Sequence, residues 1–279
     1  MKQRIISSIL GLGVLAVVLY AYDTVVLNLA VAVICIMAVY EFLHATGICK
    51  NRLLSAAAYL ATIGVPFIPV QREMDLLPVF LLPYLFLLFC ILLLTHDTTG
   101  FDQVAMVFAM TLGIPLSLSS AVYIRDNHDL ITGIFYLLLA LAGAWLSDSG
   151  AYFVGCAFGK HKLCPRISPK KTVEGLIGGL VTCTVLFGVL AALFQFVCGQ
   201  MGVSVIINYP LLLAVAPVAS LMSVLGDLSA SVIKRQYGVK DFGNIMPGHG
   251  GVLDRFDSVL FVAPFIYVVT KYLPLCTLA

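Results

Sequence analysis

The chain has 279 residues, 61% of them apolar and only 11% Asp, Glu, Lys or Arg. A soluble domain carries ~25% charged residues, so this supply cannot cover a soluble sphere. A soluble enzyme, a disordered chain and a nucleic-acid-binding domain are thereby excluded. The net charge is only +2, and the placement of the charges says more than their balance.

Apolar stretches fall at 5–21, 24–40, 53–70, 76–95, 104–124, 130–147, 175–198, 205–226 and 258–276. The first eight contain no Asp, Glu, Lys or Arg, and the ninth holds only Lys271. A helix needs roughly 20 apolar residues to cross the hydrocarbon core. Alternation of period two is absent, which argues against a barrel. The predicted fold is therefore all-α: a polytopic membrane protein of about nine transmembrane helices. Lys2 and Arg4 precede the first stretch, but no small-x-small cleavage site stands before Asp23, so it reads as a retained span.

Nine spans place the N-terminus and the loops near 41–52, 96–103, 148–174 and 227–257 on one side. These segments carry two, two, no, five and four basic residues, against Arg72, Arg125 and Lys271 on the other side. Basic loops stay in the cytoplasm, so the N-terminus is expected there and the C-terminus across the membrane. The eight cysteines form no C-x-x-C pair and read as small apolar side chains in a reduced or lipidic setting. Residues 1–130 are a string of spans with short loops. Residues 131–279 hold both long cytoplasmic segments and all the candidate chemistry.

The first of these segments follows an acid at a helix end. Asp148, Tyr152, Gly155 and Gly159 recur at helical spacing, and the glycines alone could reflect close helix packing. A membrane-embedded acid is a functional candidate because its burial is costly. Lys160, Lys162 and Arg166 fit either an orientation signal or a functional role. Ser168-Pro169-Lys170-Lys171-Thr172 follows, with hydroxyls flanking two lysines, a plausible phosphate cradle. Glu174 is placed to cap the next helix.

The second segment is denser. Asp227, Ser231 and Lys234 share one face of a helix, followed by Arg235, Lys240 and Asp241. Pro247-Gly248-His249-Gly250-Gly251 demands a sharp turn. Asp254 and Asp257 are expected on one helical face at the start of the last span, with Arg255 between them. Paired carboxylates at helix ends suit a hard cation such as Mg²⁺, which is usually shared with substrate phosphates. There is no Cys/His array for zinc and no P-loop. Residue chemistry thus leads to metal-assisted phosphoryl transfer at the cytoplasmic membrane surface, and leaves nucleotide and acceptor open.

At these positions the sequence resembles the phosphatidate cytidylyltransferase (CDP-diacylglycerol synthase) family. The family pattern S-x-aliphatic-K-R-x4-K-D, then H-G-G-x-x-D-R-x-D, is met by Ser231, Lys234, Arg235, Lys240, Asp241, His249, Gly250, Gly251, Asp254, Arg255 and Asp257. Upstream, Asp148, Gly150, Ala151, Tyr152, Gly159, Lys160, Ser168, Pro169, Lys170, Lys171, Thr172 and Glu174 also match. Met246 and Ser149 are mild departures at positions without charge. The resemblance is sharp over 145–257 and amounts only to similar hydrophobic spans over 1–130.

The resemblance implies the reaction CTP + phosphatidate → CDP-diacylglycerol + pyrophosphate, in a homodimer in the bilayer of a bacterial inner membrane. It implies catalytic roles for Asp148, Asp227, Lys234, Arg235, Asp254 and Asp257. Ser168, Lys170, Lys171, Thr172, Ser231, Lys240, Asp241, His249 and Arg255 would bind substrates. Asp227, Asp254 and Asp257 would hold Mg²⁺, with room for a second metal ion left open. A CTP-dependent lipid or polyprenol kinase shares the membrane, metal and nucleotide, and is the alternative. A secondary transporter is less favoured, because the charges lie at helix ends and no inverted repeat is visible.

Overall fold

The computed structural model describes residues 2–69, 73–246 and 250–278. Arg72, His249 and Ala279, on which some of these expectations fall, lie outside the described residues. The chain divides into two compact units, Met1–Asp126 with Tyr237–Arg255, and Asn127–Gln236 with Phe256–Ala279.

The first unit contains α1 (Lys2–Tyr20), α2 (Val25–Ala45), α3 (Arg52–Gly64), α4 (Glu73–Leu94) and α5 (Phe101–Asn127). Polar side chains set the helix starts. Thr24 accepts the Val26 N–H to open α2, and Asn51 accepts the Leu54 N–H to open α3. The Asn51 amide also donates to Thr99 Oγ1 at 2.7 Å, tying the start of α3 to the turn after α4. The returning segment of this unit ends at Arg255, within a short helix, α9 (Leu253–Phe256).

The second unit is built on α6 (Leu130–Phe158), α7 (Val173–Gln200), α8 (Tyr209–Gln236) and α10 (Val259–Tyr272). Between α6 and α7 lies a hairpin of β1 (Lys162–Cys164) and β2 (Ser168–Thr172), pairing Lys162 with Thr172 and Cys164 with Ser168. At the other end of these helices β3 (Val205–Ile207) pairs antiparallel with β4 (Cys276–Leu278). The buried Tyr136 phenol holds that end, donating to the Cys276 carbonyl and accepting the Cys276 N–H, both at 3.0 Å. Small residues let α6 and α7 meet. A Cβ on Gly150 would stand 2.5 Å from Thr182, and one on Gly175 would stand 2.7 Å from the Ala151 carbonyl.

Among the described residues six helices are long and apolar enough to cross a membrane: α2, residues 76–94 of α4, α5, α6, α7 and α8. The protein is an all-α, multi-pass membrane protein. The third and ninth apolar stretches form shorter helices. The third is cut at Pro66, where the helix tightens into a 3₁₀ turn. The ninth gives the 14-residue α10 before the chain turns into β4. Large apolar side chains remain exposed in rows, as along α7, where Ile177, Val181 and Val185 recur every fourth residue. Hydrocarbon is the solvent that tolerates such faces.

Candidate active site

In the second unit the charged residues gather at one end of the bundle. Along β2, Lys170 is exposed and Lys171 is half-buried. The Lys171 ammonium pairs with the Asp227 carboxylate at 2.7 Å. Ser231, one turn further along α8, donates to the other Asp227 oxygen at 3.2 Å. Lys234, the next residue on that face, is buried. The expected stripe of Asp227, Ser231 and Lys234 is thus present, and the hairpin adds Lys171 to it.

Asp148 lies within α6 rather than at a helix end, since the helix continues to Phe158, and it is held at both oxygens. Ser223 of α8 donates to one at 3.0 Å, and Ser258, just before α10, donates to the other at 2.8 Å. Asp257, the neighbour of Ser258, is buried, and its carboxylate accepts the Ser258 N–H at 2.8 Å. Burial and the nearby Asp227 charge push the Asp257 carboxyl up to about 7, against the pull of Lys234 and the Ser258 N–H. Gly226 makes this arrangement possible. A Cβ there would run into the Asp257 carbonyl oxygen, so only glycine lets α8 lie against the 257–258 backbone.

Thr172 is not turned toward this cluster. It is buried and caps α7, its hydroxyl accepting the Gly175 N–H at 3.0 Å. Glu174 is therefore not the cap it was expected to be. Its carboxylate accepts the Lys160 and His161 N–H groups and pairs with the His161 ring at 2.6 Å, bracing the base of the hairpin. Arg235 is exposed, and its Nε donates to the Ile167 carbonyl at 3.3 Å. Ser168 is half-buried in β2.

In the first unit Asp254 folds its own segment. One of its oxygens accepts the Phe242 N–H at 2.9 Å and the Gly251 N–H at 3.1 Å. Gly250 supplies the turn with φ +86°, where a side chain would be strained, and the Met246 N–H reaches its carbonyl at 3.1 Å. Lys240, Asp241 and Arg255 are exposed here. Asp254 and Asp257 do not share a regular helix, because α9 ends at Phe256 and a turn at 257–258 precedes α10. The expected i, i+3 pair on one face is replaced by an acid at the start of a short helix and an acid in a turn.

Among the described residues no three His, Cys, Asp or Glu side chains are grouped as ligands of a single ion. What the structure brings together is Asp227 with Asp257 and Asp148, all hard oxygen donors, and two lysines. The sequence reading missed Ser223 and Ser258, which hold Asp148, and it missed Glu41. Glu41 lies in α2, only 1% exposed, and accepts the Val252 N–H at 2.9 Å and the Leu253 N–H at 2.8 Å. The available signal was that it is the one charged residue between Thr24 and Cys49.

Comparison with known proteins adds a relationship to this geometry. Residues 2–273 match the description "Cytidylyltransferase family". The chain is 37% identical over 290 residues to a phosphatidate cytidylyltransferase of Bacillus subtilis (strain 168), covering 96% of each chain. It is 33% identical over 274 residues to the protein of that name from Staphylococcus saprophyticus, covering 96% of this chain and 98% of the other. A third, from Staphylococcus aureus (strain COL), is 48% identical over 137 residues, 49% of each chain.

Proposed function

The chain belongs to the cytidylyltransferase family, and from that premise we propose that it transfers the cytidylyl group of CTP to phosphatidate, yielding CDP-diacylglycerol and pyrophosphate. The observation that carries this reading is the Lys171–Asp227 ion pair at 2.7 Å. It joins two charged segments far apart in sequence into one site at a helix end, next to Lys234 and Asp257. The acceptor is a lipid phosphate, already anionic at neutral pH, so no strong base is needed. One of its oxygens forms a bond to the α-phosphorus of CTP while the bond from that phosphorus to the β-phosphate oxygen breaks. Pyrophosphate leaves with that electron pair.

The demands on the protein are positioning and charge stabilisation. Lys171 and Lys234 are placed to attract phosphate oxygens, with Arg235 at the rim. Asp227 orients Lys171, and Ser223 and Ser258 hold Asp148 beside the cluster. Mg²⁺ held by Asp227 and Asp257, with Asp254 the third member of the expected set, would neutralise the triphosphate and polarise the α-phosphorus. Asp227 and Asp257, near enough for their charges to act on one another, supply hard oxygen donors of the kind such an ion takes. Nine spans, a cytoplasmic N-terminus and site, residence in a bacterial inner membrane and a homodimer belong to the same proposal. The basic-residue asymmetry supports its orientation.

The deciding experiment supplies purified chain with phosphatidate, Mg²⁺ and CTP labelled at either the α- or the γ-phosphate. The cytidylyltransferase reading requires the α-label in lipid and the γ-label in pyrophosphate. Label from the γ-phosphate in lipid, with CDP released, would establish a kinase instead.

A further inference from the structure

Glu41 is an acid in an otherwise uncharged span, and burying it there is costly unless it is fully engaged. Each of its oxygens accepts one backbone N–H, from the adjacent residues Val252 and Leu253. The chain is shaped around this carboxylate. A Cβ on Gly243 would stand 2.5 Å from one Glu41 oxygen, and a Cβ on Gly251 would stand 2.5 Å from the other. Two glycines on opposite arms of the segment thus let the backbone close on the acid. Asp254 completes the frame from within by taking the N–H groups of Phe242 and Gly251. Four backbone donors are satisfied by two carboxylates, and an anionic acceptor makes the stronger kind of hydrogen bond. Without Glu41, two of those donors would be orphaned in a buried place.

We infer that Glu41 is a positioning residue of the reaction: its carboxylate fixes the backbone at Gly243 and at 251–253, and through it the setting of Asp254 and Arg255. The activity arm of this inference rests on the cytidylyltransferase reading above, and its structural arm does not. The acid acts through geometry rather than contact with substrate, so shape and charge make opposite demands on a replacement. Glutamine keeps the shape but offers one acceptor oxygen, and turns an amide N–H₂ toward a backbone N–H. Aspartate loses a methylene but keeps both acceptors.

The test compares Glu41→Gln, Glu41→Asp and a packing control, Leu43→Ala, in the full chain purified in detergent. Leu43 is fully buried on the same helix. Turnover with CTP and phosphatidate, melting temperature and amide hydrogen exchange at Val252 and Leu253 are measured for each. Glu41→Gln should lose roughly 10–100-fold in kcat with KM for CTP changed less than about threefold, since misplacement by an ångström costs on that order. Glu41→Asp should retain more activity than Glu41→Gln. Exchange at Val252 and Leu253 should quicken at least about tenfold in Glu41→Gln, as protection there requires the anchor. Leu43→Ala should lower the melting temperature while leaving turnover per folded molecule and both exchange rates near the parent's. Parent-like turnover in Glu41→Gln, or Glu41→Gln outperforming Glu41→Asp, overturns the inference. If Glu41→Gln does not fold, Glu41→Asp against Leu43→Ala decides by the same readouts. If the parent chain makes no CDP-lipid, the enzymatic reading falls, and exchange at Val252 and Leu253 alone decides whether Glu41 is the anchor.

Discussion

Gly226 lies so close to Asp257 that a single methyl group on its Cα would collide with the Asp257 carbonyl oxygen and crowd the Ser258 Cα at 3.0 Å. The colliding partner is backbone, which cannot rotate away as a side-chain tip can. Gly226→Ala should therefore push α8 off the 257–258 turn and separate Asp227 from Asp257. Overpacking of this kind costs roughly 1–3 kcal/mol of stability. The larger effect should be on turnover, down by about 10-fold or more in protein that still inserts, because catalytic groups tolerate little displacement. Steady-state rates on monodisperse purified variant check this, and parent-like turnover would show that the contact does not set the site.

The hairpin register makes a claim about which basic side chain matters. Lys171 meets Asp227, while Lys162 is exposed on β1. Lys171→Met should reduce kcat/KM by about 100-fold or more, a loss of roughly 3 kcal/mol of transition-state stabilisation. Added Mg²⁺ should not restore it, because the charge removed is the one proposed to attract a substrate phosphate. Lys162→Met should stay within about twofold. Equal losses in the two variants would mean that general positive charge on the hairpin, rather than the aimed lysine, is responsible.

Asp257 links pH, metal and stability. Its carboxyl stands at about 7 in the folded protein, against 3.8 for an ordinary aspartate. Between those values the folded state keeps a proton that the unfolded chain releases. Metal-free protein should therefore lose stability as pH rises from about 4 to 7, by roughly 4 kcal/mol at most, and level off above. Asp257→Asn cannot ionise, so in chelator at pH 8 it should melt higher than the parent, and the difference should shrink at pH 5. Its activity should nonetheless fall by about two orders of magnitude or more, with Mg²⁺ stabilising the parent and not the variant. Calorimetry at the two pH values, with and without Mg²⁺, reads all of this. A variant that melts below the parent at pH 8 would refute the buried-charge account.

Orientation can be read independently of activity. Cysteines placed singly in the 160–170 hairpin and near Lys240 should be labelled from the cytoplasmic side, as their basic residues require. With nine spans, a cysteine at position 278 should be labelled from the opposite side. Labelling of all three from one face would leave an even number of crossings between Lys240 and position 278, where the nine-span count requires one.

Much of the site was legible because charge is scarce in this chain. Asp227, Ser231 and Lys234 announce their shared face by spacing alone, and Asp148 stands out as an acid at the end of an apolar run. Span counting was less secure. A run of about 18 apolar residues does not say whether the helix continues through it, and Pro66 or the strand at Cys276 decides that through local backbone chemistry. Capping was misassigned between Thr172 and Glu174 because both fit a helix start. The difference lies in Glu174 reaching back to residues 160 and 161, which only the hairpin makes near. Glu41 left no local pattern, since its partners are backbone N–H groups more than 200 residues away.

The clasp on Asp148 has a consequence for the order in which the protein is made. Ser223 follows the acid by 75 residues and Ser258 by 110. At about 5–20 residues per second, the second hydroxyl emerges roughly 5–20 s after the acid it is to hold. During that interval α6 must rest at the membrane with its carboxyl served by water or shielded by the insertion machinery. Completion of this end of the bundle is therefore a late event in biogenesis. A slow or misdirected α10 would leave a nascent chain whose flaw is an unattended acid rather than an unfolded helix.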